Sequence, residues 1–183
     1  MAQGEFATEG PENDVLSIEE FEDIFDAVRT QESKDDPFLK KFDAFFDTIG
    51  AKHFSSRELL FMGGGHYGTG KCSGLNGYPE ENKWDGIKSL VPVLDEVRGE
   101  LGHSIRLTSI YRNTAYNKCI GGVESSFHRR GIAADCIVSA VSVKDLRDAA
   151  MRVRNRGTFR GGIGLYSGFV HIDVRGQNAN WTG

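Results

Sequence analysis

Strong amphipathic helix patterns and short strand patterns follow one another irregularly along this chain, and this order limits the fold more than any other feature. Residues 83–102 and 142–157 carry apolar side chains at helical spacing. Four short strands are predicted, at residues 104–111, 131–138, 161–166 and 168–176. Because the two patterns do not alternate regularly, we predict an α+β fold with a small, mainly antiparallel sheet flanked by helices.

The N-terminal segment differs in charge from the rest of the chain. Residues 1–50 carry 14 acidic and 4 basic side chains, whereas residues 51–183 carry 12 acidic and 18 basic ones. After a loose tail at residues 1–14, two helices are predicted, at residues 17–31 and 37–50. We therefore predict an acidic helical arm over 1–50 and a separate domain over 51–183. The arm either packs on the domain as a helical hairpin or docks onto a larger assembly.

Several classes of protein are disfavoured by the sequence. No window approaches the length of apolar chain that a membrane span needs, and the N-terminus lacks the pattern of a secretory signal. The basic domain suits a polyanionic environment, but no nucleic-acid-binding motif or dense basic run is present, so nucleic acid is not the predicted partner. Three cysteines, at 72, 119 and 136, predict no disulfide framework, although a bridge between Cys72 and Cys119 would be compatible with them.

Three residues of metal-ligand type lie at or beside predicted strands. His128 precedes a strand, Asp135 lies where that strand begins, and His171 lies inside a later strand. Two imidazoles and one carboxylate suit Zn²⁺ and leave the fourth tetrahedral position for water, as in catalytic zinc sites. A single histidine in a strand is more often a core residue, so the interpretation depends on the surrounding motifs.

Five motifs surround these residues in chain order: S-x-Y-R at 109–112, Tyr-Asn at 116–117, Gly-Gly at 121–122, S-x-H-x-x-G-x-A-x-D at 126–135 and F-V-H-x-D at 169–173. Together they resemble the zinc D-alanyl-D-alanine carboxypeptidase family, whose members share a fold with the Hedgehog signalling domain. The resemblance covers residues 54–183. It implies that His128, Asp135 and His171 hold Zn²⁺ and that the substrate is a peptide of bacterial peptidoglycan.

The resemblance also implies substrate contacts for Arg112 and Ser126. The guanidinium of Arg112 would bind a carboxylate or carbonyl oxygen of the substrate through paired hydrogen bonds, and a structural salt bridge is the alternative. Ser126 would position the substrate, or else serve as an ordinary turn hydroxyl. Trp181, outside the motifs, would either cap the core or line the substrate groove.

The general base is the point at which the sequence departs from the family. Many members carry an acidic residue three positions before the last zinc histidine, where this chain has Gly168. We predict that Asp173 is the base, because residues two apart in a strand share a face and its carboxylate would lie beside His171. The alternative role for Asp173 is support of a zinc-bound imidazole. Glu124 is a weaker candidate.

The predicted function is zinc-dependent hydrolysis of an amide bond in peptidoglycan stem peptides or cross-links, as a carboxypeptidase or an endopeptidase. Without a secretory signal, the chain is expected to be made in the cytoplasm and to reach the wall after lysis or particle delivery, as a phage lysis or virion-associated enzyme would. The alternative is a non-catalytic structural or binding component of such a particle that retains the fold. A cytoplasmic dipeptidase is a third hypothesis.

Overall fold

The computed structural model describes residues 16–32 and 35–183, so the predicted tail at 1–14 lies outside the described residues. The helices of the described part are α1 (Ile18–Gln31), α2 (Pro37–Asp47), α3 (Ser56–Leu59), α4 (Gly64–Tyr67), α5 (Trp84–Leu101), α6 (Thr114–Cys119) and α7 (Val143–Asn155). The strands are β1 (Arg106–Ser109), β2 (Ala133–Ile137), β3 (Gly162–Leu165), β4 (Val170–Asp173) and β5 (Ala179–Thr182). Among the described residues, no helix combines the length and the apolar character that crossing a bilayer requires.

The five strands form one sheet in the order β1-β2-β4-β3-β5. The first three pairings are antiparallel, whereas β5 lies parallel to β3. After β4 the chain reverses direction. The next strand, β5, therefore runs parallel to β3 when it pairs with the free edge of β3. The predicted α+β class is confirmed, but the sheet is mixed and not mainly antiparallel as predicted.

The two faces of the sheet have different surroundings. Ala134 and Cys136 of β2 and Ile172 of β4 belong to the main hydrophobic core, to which α5 and α7 contribute their apolar sides. Because side chains alternate along a strand, the residues between them face the opposite side. Asp135 and His171 lie on this second face, which we call the site face, and they are partners in the β2–β4 register.

Both N-terminal helices pack on the rest of the protein through aromatic rings. Phe21 of α1 is fully buried, with its ring centroid 4.6 Å from that of Phe61. Phe42 of α2 is also fully buried, 5.2 Å from the ring of Trp84. These contacts agree with the alternative in which the arm packs on the domain. The domain boundary at residue 50 stays a prediction.

The glycine-rich segment between α3 and α5 is tied to the chain that follows β1. Cys72 forms a disulfide with Cys119 at the end of α6, a pairing that the sequence did not predict. The amide of Asn76 donates to the carbonyl oxygen of Tyr111 at 2.9 Å, and the hydroxyl oxygen of Tyr116 accepts from the backbone N–H of His66 at 3.1 Å. The segment thus supports the region that leads into the predicted site.

Removal of this disulfide is expected to lower the free energy of unfolding. The bridge joins residues 47 apart in sequence, and closing a loop of that length restricts the unfolded chain by about 4 kcal/mol. Urea denaturation of a Cys72→Ser/Cys119→Ser variant, compared with the unmodified protein, measures the loss. The fully reduced unmodified protein serves as control and should unfold at the same midpoint as the variant. An unchanged midpoint after reduction would contradict the prediction.

Candidate metal centre

His128 is the second residue of a 3₁₀ turn, Phe127–Arg130, just before β2. Its Nδ1 lies 3.0 Å from the carbonyl oxygen of Ile110. A carbonyl oxygen can only accept, so Nδ1 carries the proton and Nε2 is left as a free electron-pair donor. Gly131 follows in a left-handed conformation with a φ of 68°, which turns the chain from His128 into the strand that carries Asp135.

The imidazole of His171 uses its two nitrogens the other way round from that of His128. Its Nε2 lies 3.1 Å from Oδ2 of Asp173, so this nitrogen donates to the carboxylate. Its Nδ1 is left facing Oδ1 of Asp135, at 3.0 Å, and Nε2 of His128, at 3.2 Å. Each imidazole therefore directs its second nitrogen to a common point, where that nitrogen can bind a metal once it carries no proton.

The three facing atoms form a nearly equilateral triangle. The remaining side, from Nε2 of His128 to Oδ1 of Asp135, measures 3.3 Å. Ligands about 2.0–2.1 Å from a tetrahedral Zn²⁺ lie about 3.3 Å from one another. The spacing and the donor types of His128, Asp135 and His171 thus fit a divalent ion of this kind, as the sequence predicted. Both histidines are fully buried, and Asp135 retains 6% of its surface exposed.

Arg112 is buried behind Asp135 and does not line an open surface. It is only 1% exposed, its Nη2 donates to Oδ2 of Asp135, and its Nε donates to Oγ of Ser109 at 2.9 Å. This arrangement favours the structural salt bridge over the predicted contact with substrate. Arg112 occupies one oxygen of Asp135 and leaves the other for the triangle.

Asp173 lies on the far side of the imidazole of His171. Its Oδ1 accepts from the backbone N–H of Gly162 at 3.0 Å and from Nε of Arg175 at 2.8 Å, while Oδ2 accepts from His171. The ring of His171 separates this carboxylate from the point at which the triangle converges. The geometry therefore favours the alternative role, support of the imidazole, over the predicted role of general base.

Ser126 and Glu124 lie on the loop that precedes His128. Ser126 is 2% exposed, and its Oγ has no hydrogen-bond partner in the part of the chain that the structure describes. A buried hydroxyl with unused hydrogen-bonding capacity is compatible with the predicted positioning of substrate. Glu124 is exposed and lines a polar cavity of about 410 Å³ together with Lys118 and Arg129.

Arg175 was not identified from the sequence as part of the site, and Trp181 was considered either as a cap of the core or as a groove residue. Arg175 pairs with Asp173, and Trp181 of β5 lies with its ring centroid 5.3 Å from that of His171. Of the two placements considered for Trp181, the structure shows it packed on the site face, with Nε1 donating to the hydroxyl of Tyr166 at 2.8 Å. The position of Arg175 two residues after Asp173 was the available signal, since both point to one side of an extended chain.

The charges of the site stabilise a deprotonated Asp135. Burial opposes the charged carboxylate, but His128 and Arg112 outweigh it and hold the pKa of Asp135 well below its usual range. Burial, followed by the charge of Arg112, lowers the pKa of His128. Burial also disfavours the charged form of His171, but its hydrogen bonds to Asp135 and Asp173 raise its pKa to about 9. His171 is therefore the candidate ligand from which a metal would have to displace a proton.

Metal affinity is accordingly expected to rise with pH. Below the pKa of about 9 for His171, binding releases one proton, so the apparent affinity should increase roughly tenfold per pH unit and level off above that value. Competition with a fluorescent chelator between pH 6.5 and 9.5, corrected for the chelator's own protonation, measures this slope. A His103→Ala variant, altered at an exposed histidine, should give the same curve. A flat curve would show that no ligand exchanges a proton for the metal.

Comparison with known proteins places the chain among peptidases. A model of the peptidase M15 family matches residues 66–173, which include the three candidate ligand residues and Asp173. The peptidoglycan L,D-endopeptidase MepK of Escherichia coli K12 is 30% identical over 139 residues, which cover 69% of this chain and 73% of that protein. MepK of Escherichia coli O157:H7 and of Shigella flexneri match to the same extent. No solved structure matches the chain.

Proposed function

The chain belongs to the peptidase M15 family, and from that premise we propose that it is a zinc-dependent peptidase that hydrolyses an amide bond in the peptides of bacterial peptidoglycan. One observation carries the proposal. Two imidazole nitrogens and one carboxylate oxygen, from residues 128, 135 and 171, lie 3.0–3.3 Å apart at a buried point. The name of the related MepK proteins supports peptidoglycan as the substrate.

The residues that would hold zinc are His128, Asp135 and His171. When bound, zinc supplies a Lewis acid for the scissile carbonyl and lowers the pKa of water toward ~7. Each ligand has its own partner on the far side from the metal point. The carbonyl of Ile110 orients His128, Asp173 orients His171, and Arg112 orients Asp135. Such partners fix the tautomer and direction of a ligand before the metal binds.

We propose an endopeptidase rather than a carboxypeptidase. A carboxypeptidase must bind the terminal carboxylate of its substrate, and Arg112 was the residue predicted for that contact. In the structure the guanidinium of Arg112 is buried and paired with Asp135, so it supports the metal centre. The relatives' description as L,D-endopeptidases agrees with cleavage inside a peptide.

The disulfide supports action outside a reducing cytoplasm. Bridges such as Cys72–Cys119 persist in oxidising surroundings and are rare where thiols are kept reduced. Cell-wall peptides are found in such surroundings. The disulfide therefore agrees with the proposed substrate better than with the hypothesis of a cytoplasmic dipeptidase.

Digestion of defined muropeptides with mass analysis of the products tests this function. The substrates are a cross-linked dimer whose bridging amide joins an L to a D residue, a D,D-cross-linked dimer and an uncross-linked pentapeptide. We expect cleavage of the first substrate. Release of only the terminal D-alanine of the pentapeptide would show a carboxypeptidase. No product from any substrate, with zinc bound, would favour the non-catalytic component.

A further inference from the structure

Arg175 lies between two aromatic rings beside the metal centre. Its guanidinium carbon is 4.2 Å from the ring centroid of Phe127 and 5.1 Å from that of Trp181. The same guanidinium pairs with the carboxylate of Asp173, and its Nε donates to Oδ1 at 2.8 Å. We call the group formed by Phe127, Asp173, Arg175 and Trp181 the arginine stack. A planar guanidinium suits both contacts at once, because it stacks on rings and donates to a carboxylate in its own plane.

The arginine stack contacts both histidine ligands. Phe127 immediately precedes His128 in the chain. On the other side, Asp173 accepts from Nε2 of His171, and the ring of Trp181 lies 5.3 Å from the ring of His171. The stack thus joins the turn before β2 to strands β4 and β5 across the site face.

Two glycines of β3 make room for the stack. A Cβ atom at Gly164 would lie 2.4 Å from the indole of Trp181, and one at Gly162 would lie 2.4 Å from Oδ2 of Asp173. Contacts of that length are not tolerated between these atoms. A side chain at either position would displace Trp181 or Asp173, so the close packing depends on both glycines.

Asp173 needs a partner of this kind to hold His171. Its side chain is fully buried, and a buried carboxylate is costly unless its charge is compensated. Arg175 supplies that compensation and fixes the carboxylate by donating to both of its oxygens, through Nε to Oδ1 at 2.8 Å and through Nη2 to Oδ2, the oxygen that also accepts from His171. The carboxylate then accepts from Nε2 of His171, which leaves Nδ1 of that ring for the metal.

We propose that Arg175 is a positioning residue of the metal centre: held between Phe127 and Trp181, it fixes Asp173 and thereby the tautomer and ring direction of His171. The inference rests on the proposed function in one respect, that the triangle binds zinc. It adds that zinc affinity is set by a residue that does not itself contact the ion.

The test compares zinc affinity and cobalt spectra of Arg175→Lys and Arg175→Gln with those of the unmodified protein. Loss of the direct outer partner of a metal ligand, here Asp173, weakens zinc binding by roughly 10–100-fold, and loss of Arg175, which acts through Asp173, is expected to cost about tenfold, the lower end of that range. We expect the full loss in Arg175→Gln and a smaller one in Arg175→Lys, which keeps the charge but neither the plane nor the paired donors. The absorption bands of bound Co²⁺ should shift in both variants, because they report ligand geometry. Arg160→Gln, at an exposed arginine, is the matched control and should change neither.

A second variant disturbs the arginine stack at Trp181 and not at Arg175. Gly164→Ala leaves Arg175 and Asp173 intact but places a methyl group against Trp181, so it should also weaken zinc binding. Unfolding of each metal-free variant is measured in parallel, so that a loss of affinity is not confused with a loss of folded protein.

The outcomes separate the two proposals. If Arg175→Lys or Arg175→Gln folds and binds zinc within about twofold of the unmodified protein, the role of Arg175 is overturned while the proposed function stands. If the unmodified protein binds no zinc, both are overturned. Weaker zinc binding and shifted cobalt bands in the Arg175 variants, with unchanged values for Arg160→Gln, support the inference.

Discussion

Replacing His171 by alanine is expected to remove bound zinc and to reduce peptidoglycan hydrolysis by roughly 10³-fold or more. The substitution deletes one corner of the triangle and leaves only two ligands, which is too few for a stable zinc site of this type. The magnitude follows from the several kcal/mol of transition-state stabilisation that a catalytic metal supplies, since each 1.36 kcal/mol corresponds to about a factor of ten in rate. Metal content by elemental analysis and the rate of muropeptide cleavage measure the two effects.

The matched control for this prediction is His103→Ala, because His103 is an exposed histidine outside the site. It should bind zinc and cleave at the rate of the unmodified protein. Retention of one zinc per chain by His171→Ala would show that the ion is held elsewhere. Retention of cleavage without zinc would show that hydrolysis does not use the triangle at all.

Replacing Arg112 by methionine is expected to destabilise the metal-free protein by roughly 3–5 kcal/mol. The guanidinium is the partner of Oδ2 of Asp135, and both groups are buried. Breaking this buried pair leaves Oδ2 of Asp135 without its partner in a poorly solvated place while His171 still contacts Oδ1, and loss of one partner of a buried carboxylate is among the most damaging of substitutions. Urea denaturation of the metal-free variant measures this loss, and Arg160→Met, at an exposed arginine, should leave stability nearly unchanged.

The Arg112 variant also decides between the two roles considered for this residue. A supporting role predicts lower stability and weaker zinc binding, with KM unchanged for the zinc-loaded fraction. A substrate-binding role predicts normal stability and normal zinc binding with a raised KM. The second pattern would reverse our interpretation of the buried salt bridge and restore the case for a carboxypeptidase.

The faces on which the candidate metal ligands lie could be predicted because strand alternation is a local pattern, whereas the pairing of β2 with β4 that brings them together is a long-range contact. Strand alternation places Asp135 on one face of β2 and His171 on one face of β4, and the surrounding motifs indicate which residues belong together. Helix boundaries were predictable for the same reason. Ser17 and Glu20 form the expected capping box at α1, and Gly102 ends α5 in a left-handed conformation.

The features that the sequence did not predict depend on distant contacts. β5 contains an alanine and an asparagine, which are poor strand formers, and it forms because β3 offers a free edge and glycines that accommodate Trp181. The Cys72–Cys119 pairing depends on how the glycine-rich segment folds back on α6. The role of Arg112 depends on its burial, which a motif does not specify.

Because Asp135 pairs with His171, zinc binding would depend on the correct register between β2 and β4. These residues lie opposite one another on β2 and β4, and a slip of one residue between two strands would turn one of the two side chains into the core. A misaligned molecule would still show normal helix and strand content, but it could not capture the ion. The amount of bound zinc, followed with a chelating dye during refolding, would therefore measure the fraction of molecules with the native β2–β4 register. Its time course would give the rate at which the sheet forms.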